Sequence, residues 1–297
     1  MAGLTVSRMD FGNFMHGIRE NRTLLAAAAH LDVSRQVIMR LEDGLPTKLT
    51  KPQIESLIDF YHPSADDRAE ALRLFEEVRA QDKASKAQGN SKGMWKAYSD
   101  QVAPNFEKFL RLEGVAEGII TYQPLIVPGL LQTPDYRRAI IRIEMPALSA
   151  VDVERRLELT AKRQVRLEEN GFRMEAFLDE AALRHRPCTP AAMSIQLRWL
   201  TESSERDNVS LRVIPFSVGP HRGLTIQVFT LLRLPRGESG RALPPVVYAE
   251  GAIGSVFHEN QEEVDVYDQA ISGLREVALS EDDTRDLVNR VAKEYAT

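Results

Sequence analysis

Arg35, Gln36, Met39 and Arg40 are the residues whose types and spacing best suit a chemical task. Arginine can donate two hydrogen bonds to O6 and N7 of guanine, and glutamine can pair with N6 and N7 of adenine. A methionine can lie against a thymine methyl. At 3.6 residues per turn these four positions share one side of a helix, and Val37, Ile38 and Leu41 share the other. Such a helix buries one face and offers the second to base edges in a major groove. Each good bidentate pair discriminates by about 1–3 kcal/mol. Taken alone, the exposed face fits an ordinary surface helix equally well, so the surrounding elements must decide.

Those elements favour DNA. Thr23 and Ser34 each open a short helical segment and can cap it, because a side-chain oxygen accepts from the free amides of a first turn. Ala26 to Ala29 are small and let the first segment lie close to the second. Asp32 sits in the turn, where a left-handed conformation is tolerable for Asp, and Val33 follows as a buried turn residue. Gly44 is suited to ending the second helix. The layout is that of a helix-turn-helix.

Other constellations are weaker. Histidines 185, 221 and 258 lack metal-ligand spacing. Cys188 stands near Arg184, His185 and Arg186; cationic neighbours lower a thiol pKa, so a redox sensor competes with an inert residue beside Pro187, which is preferred. Asp179 and Glu180 follow a predicted strand. They read as a ligand site at the end of a sheet or as a helix start favoured by the dipole, and the second is preferred. Pro128 to Pro134 either walls a small pocket or makes a rigid turn, with the turn slightly favoured. Gly251-Ala-Ile-Gly-Ser255 is similar to a glycine-rich loop but has neither the Lys nor the spacing of a phosphate cradle. No zinc-protease or serine-hydrolase motif is present. The expectation is a protein without cofactor, metal or catalytic residues, and not an enzyme.

The chain has 297 residues, 43% hydrophobic, which allows two packed domains. Residues 66–80 read as a fifth helix, residues 81–94 as a polar linker, and residues 95–297 as a second domain. The first domain thus spans 1–80. The second reads as mixed α/β: helices near 103–112, 135–143, 152–169, 190–203, 260–278 and 281–295, and strands at 172–178, 209–215, 224–234 and 246–250. Strand, helix, strand over 172–215 predicts a parallel pair. The fold class expected is mainly α with a second α/β domain, its sheet having four or five strands.

The net charge is −5, and residues 1–60 balance seven basic against seven acidic side chains. Phosphate neutralisation dominates nonspecific DNA affinity, so this domain should grip random DNA poorly. A homodimer reading two half-sites of an inverted repeat would compensate. No apolar run is long enough to span a bilayer, and no secretory signal is evident. One cysteine excludes an internal disulfide framework and fits a reducing compartment, so the expected location is cytoplasmic.

Residues 11–61 resemble the lambda-repressor-like, XRE-type helix-turn-helix family. Val33-Ser34-Arg35 and Ile38-Met39-Arg40-Leu41-Glu42-Asp43-Gly44 carry the resemblance, and Pro52 to Tyr61 is similar to the family's fourth helix. The resemblance implies that Arg19 and Glu42 form a structural ion pair rather than DNA contacts. Leu24 stands where the family usually has Gln, and Met39 where it has Ser; both departures bear on operator sequence rather than fold. Glu113 to Ala116, Tyr122, Pro128 to Tyr136, Arg163-Gln164, Leu178 to Arg184, Gln196-Leu197, Val213-Ile214-Pro215 and Val246 to Glu250 are similar to an actinobacterial group that joins this helix-turn-helix to an antitoxin-like domain of unassigned function. That implies a small acidic partner protein encoded nearby. The expectation is therefore a sequence-specific transcriptional regulator controlled through its C-terminal domain by a partner protein or small ligand. The alternatives are an antitoxin-like module that neutralises a small partner and autoregulates, and, third, an enzyme with a DNA-targeting module. Three or more ionisable groups converging in one cleft would favour the enzyme.

Overall fold

The computed structural model describes residues 2–87, 98, 104–237, 239–240, 242–251 and 254–296. The chain divides into two compact units: residues 1–96 with 234–243, and residues 97–233 with 244–297.

The first unit is helical. Helices α1 (Ala2–Arg19), α2 (Leu24–His30), α3 (Arg35–Glu42), α4 (Lys51–Tyr61) and α5 (Ala65–Ala87) enclose a core of Phe11, Phe14, Met15, Ile38, Leu41, Ile54, Leu57, Ile58 and Leu74, among others. Thr50 and Gln53 form a capping box at the start of α4, where Pro52 sits in the first turn. The fifth helix is longer than the sequence predicts. It runs through the first seven residues of the expected linker, because Asp82-Lys-Ala-Ser-Lys-Ala87 contains no helix breaker and Asp82 is ion-paired to Arg8 on α1 at 2.9 Å. The remainder of the expected linker lies outside the described residues.

The second unit is α/β. In chain order it comprises α6 (Pro104–Glu113), β1 (Gly118–Gln123), α7 (Pro134–Glu144), α8 (Ala150–Gln164), β2 (Arg173–Asp179), α9 (Glu180–Arg184), α10 (Pro190–Ser203), β3 (Val209–Ile214), α11 (Gly223–Ile226), β4 (Phe229–Arg233), β5 (Val246–Gly251), β6 (Gly254–His258), α12 (Gln261–Val277) and α13 (Glu281–Glu294). Among the described residues the sheet has six strands, not four or five, in the order β3-β2-β1-β4-β5-β6. β2 pairs in parallel with both β3 and β1, as strand, helix, strand requires, and β4 to β6 add antiparallel strands. Residues 224–234 are not one strand: α11 occupies the start, and β4 begins only at Phe229. β1 and β6 are the strands that the sequence reading did not separate. One sheet face packs Ile120, Tyr122, Phe177, Phe229 and Val247 against Val264, Ile271 and Leu274 of α12.

Candidate nucleic-acid interface

The turn between α2 and α3 is built by its own backbone. Thr23 accepts from the Ala26 amide at 3.1 Å and caps α2. The Val33 amide donates to the Ala28 carbonyl at 3.0 Å, and Asp32 takes φ of 52°, the left-handed state expected of it. Of the four alanines, Ala27 and Ala28 are buried while Ala26 and Ala29 are exposed, so half of that run makes the close contact. Ser34 has the extended dihedrals of an N-cap, but its hydroxyl makes no capping bond. The Ser34 carbonyl instead accepts from Val37 at 2.9 Å.

Helix α3 has two distinct faces. Ile38 and Leu41 are buried and Val37 is half-buried. Arg35, Gln36, Met39 and Arg40 are exposed, as are Thr23 and Ser34. Arg35 enters no salt bridge among the described residues, whereas Arg40 Nη2 donates to the Pro46 carbonyl at 3.0 Å and steadies the chain after the helix. Arg40 therefore has to share its guanidinium between that carbonyl and any ligand. Gly44 takes φ of 65° at the end of α3, a conformation that costs glycine little.

Arg19 of α1 and Glu42 of α3 join these two helices. Arg19 Nε donates to Glu42 Oε1 at 2.7 Å and Nη2 to Oε2 at 3.1 Å, a bidentate pair. Nη1 also reaches the Arg22 carbonyl, and so ties the turn into α2. The bond to Glu42 raises the Arg19 pKa above its ordinary value. Two features of this region have weak signals in sequence. His16 Nδ1 approaches Glu42 Oε2 at 2.9 Å, one turn before Arg19. At Gly12, a Cβ would stand 2.4 Å from the Glu42 carbonyl oxygen, so α1 and the end of α3 meet backbone to backbone. A glycine inside an otherwise helical pattern was the available clue.

The remaining candidates are in the second unit. Asp179 caps α9, accepting from Ala181 at 2.8 Å, and Glu180 accepts from Arg184 at 2.8 Å and from the Phe216 amide at 3.0 Å. The Asp179 carboxylate serves the helix start, and that of Glu180 serves Arg184 and the Phe216 amide. Burial pushes the Cys188 thiol pKa up, and Asp135 adds to the shift, the reverse of what a reactive thiolate needs. His221 accepts from the Gly223 amide at 3.1 Å, and His258 pairs with Glu263 at 2.8 Å. Among the described residues no three His, Cys, Asp or Glu side chains come together as metal ligands. Of the Gly251 to Ser255 run, Gly251 ends β5 and pairs opposite Gly254, which opens β6 with Ser255, while residues 252 and 253 lie outside the described residues.

Pro128 to Pro134 is a clamped turn. Gln196 accepts from the Thr133 amide at 2.7 Å and donates to the Leu131 carbonyl at 2.7 Å, while Gln164 donates to the Gln132 carbonyl at 2.7 Å. Beside it Arg163 and Glu113 form a buried bidentate pair, both bonds 2.7 Å. Burial, the largest single effect, lowers the Arg163 pKa, but the charge and hydrogen bonds of Glu113, with Tyr248 and Glu250, together outweigh it and the pKa is raised. Among the described residues Gln132 Oε1, in the Pro128 to Pro134 turn, is buried without a hydrogen-bond partner. One cleft of this unit, about 470 Å³, is lined by Gln227, Glu250, Gly254 and Tyr267 among others. Another, about 500 Å³, opens at the amino ends of β1 to β3, lined by Gly118, Arg173, Glu175, Asp207 and Arg233 among others. Ligands of open parallel sheets bind at the opposite, carboxyl ends.

Among the described residues no helix is long and apolar enough to cross a membrane. No curated protein and no solved structure matches the chain. A family model described as a domain of unknown function, DUF5753, matches residues 106–290, which run from α6 to α13 and include none of α1 to α5. The match covers more than half of the sequence, and the chain belongs to the DUF5753 family.

Proposed function

We propose that the protein is a sequence-specific DNA-binding transcriptional regulator of the XRE type. It acts as a homodimer on an inverted repeat and is controlled through the α/β unit by a partner protein or small ligand. One observation carries the reading. Arg35, Gln36, Met39 and Arg40 are exposed together on α3, while Ile38 and Leu41 bury the reverse face. In this mechanism α3 enters the major groove. Arg35 and Gln36 read base edges from its first turn, Met39 lies against a thymine methyl, and Arg40 reads a base edge while leaving or sharing its bond with the Pro46 carbonyl. The hydroxyls of Thr23 and Ser34, at the starts of α2 and α3, donate to phosphates and fix the register. Arg19 and Glu42 hold the scaffold and touch no DNA. The even charge balance of residues 1–60 leaves affinity to specific contacts and to the second half-site.

Footprinting on DNA upstream of the protein's own gene tests this, with wild type against the Arg35→Ala/Arg40→Ala double variant. The expected result is a protected inverted repeat that the variant loses. Each single substitution should cost about 1–3 kcal/mol and relax specificity at one base. Protection that survives the double substitution, or affinity lost equally on all sequences, would remove α3 from the reading role.

A further inference from the structure

Between β4 and β5 the chain leaves the α/β unit. Residues 234–243 fold as part of the first unit, and the chain rejoins the second at Pro244. The segment closes on itself through a bridge between Arg236 and Ala242, and Leu234, Gly237 and Leu243 are buried. Its tip meets Asp10 of α1, a carboxylate only 1% exposed. Asp10 Oδ2 accepts the Ser239 amide at 2.7 Å, and Oδ1 accepts the Ser239 hydroxyl at 2.5 Å. Gly237 lies against the same carboxylate; a Cβ there would stand 2.0 Å from Asp10 Cγ. Nearby Arg73 is engaged by Glu70 and Glu77. Ser239 thus supplies two hydrogen bonds to the Asp10 carboxylate, whose charge also lies within electrostatic range of Arg73, and a buried charge that loses hydrogen bonds is costly.

Asp10 also sits between the two places where α1 touches the end of α3. Gly12 abuts the Glu42 carbonyl, and a Cβ on Gly44 would stand 2.7 Å from Met9 Cα. Neither contact has slack. A displacement of α1 at Asp10 must therefore be felt by α3.

We propose that residues 234–243 are a regulatory arm for the helix-turn-helix, with Asp10 as its socket. The docked arm holds α1, and with it α3, in the arrangement that reads DNA, and release of Ser239 from Asp10 lowers operator affinity. The arm continues directly into β4 and β5, so a signal that strains those strands pulls on the socket. The proposal rests on the DNA-binding reading above. Reciprocity of coupled equilibria requires that operator binding in turn stabilise the docked arm.

The test uses the full chain with Ser239→Ala, which removes one of two donors, and Gly237→Ala, which expels the arm. Hydrogen exchange of residues 234–243 and of α1 is followed with and without the footprinted duplex, beside operator titrations. Operator should slow exchange in the wild-type arm. Ser239→Ala should weaken operator binding about threefold and Gly237→Ala about tenfold, the second within the usual range of allosteric couplings and the first just below it, with exchange in the arm rising in the same order. An arm that exchanges fast while operator affinity stays at the wild-type value overturns the proposal, as does a wild-type arm indifferent to operator. Ser239→Ala decides alone if Gly237→Ala does not fold. A wild type that binds no duplex overturns the DNA-binding reading and the arm with it, and is recognised because affinity is absent before any arm substitution is made.

Discussion

Glu42 of α3 receives two hydrogen bonds from Arg19 of α1, at 2.7 and 3.1 Å, with only 8% of its side chain exposed. Helix α3 is thus fastened to α1 at its last residue. Tyr61 of α4 lies within electrostatic range of both groups, and burial and the Glu42 charge raise its pKa. Arg19→Ala should therefore act on stability. Removing one partner of a largely buried pair leaves the other charge uncompensated, at a cost of about 3 kcal/mol. Thermal denaturation of the first unit should show that loss, with specificity at the operator unchanged wherever the domain remains folded. A variant of wild-type stability and altered base preference would make Arg19 a DNA contact instead.

Gly12 marks the other constraint on the same helix. Alanine there cannot keep the α1–α3 spacing, since its Cβ would meet the Glu42 and Leu41 carbonyl oxygens at 2.4 and 2.5 Å. Overpacking of this kind costs about 1–3 kcal/mol. Gly12→Ala should lower the melting temperature and weaken operator binding together, because α3 has to move outward. If a crystal structure of the variant showed α3 unmoved, the close approach would be without consequence for recognition.

The parts legible in the sequence are those governed by local chemistry. Thr23, Asp32 and Gly44 announce caps and turns through short-range rules, and each has the predicted conformation. The α3 faces follow from periodicity alone, and the parallel pairing of β2 with β3 from the helix between them. Ser34 shows the limit: its dihedrals are those of a cap, yet no capping bond forms. Other features are set by distant partners. β1 is a central strand, buried from Ile119 to Tyr122 on both faces, so it lacks the alternation that marks a half-exposed strand. β6 begins at a glycine and is short enough to read as part of a loop. The arm at 234–243 has no amphipathic signature, because what holds it is Asp10, more than two hundred residues away in sequence.

Cys188 gives a direct check on the redox-sensor reading. Burial raises its pKa, and the basic neighbours in sequence do not reverse this. The thiolate, not the thiol, is the nucleophile. Alkylation by iodoacetamide at mild alkaline pH should therefore be at least about threefold slower in the folded protein than in urea, where the thiol returns to about 8.5. Faster reaction in the folded state would restore the redox-sensor reading.

Alkaline stability of the second unit should be limited by three buried tyrosines. Burial pushes Tyr122, Tyr136 and Tyr248 each up to about 12, against about 10 in an unfolded chain. The sign follows from proton binding. Between these values the unfolded chain has released phenolic protons that the folded chain still holds, so stability falls as pH rises. The contribution is complete below pH of about 10 and is lost on the way to about 12. Thermal denaturation should thus be level across mild alkaline pH and then fall steeply, with tyrosinate absorbance appearing late and together with unfolding. Tyr122→Phe removes one of the three titrations, and the variant should lose less of its own neutral-pH stability at high pH than wild type loses. A wild type whose tyrosines ionise at ordinary pH without unfolding would show that water reaches them, and would contradict the packing of Tyr122 beneath α12.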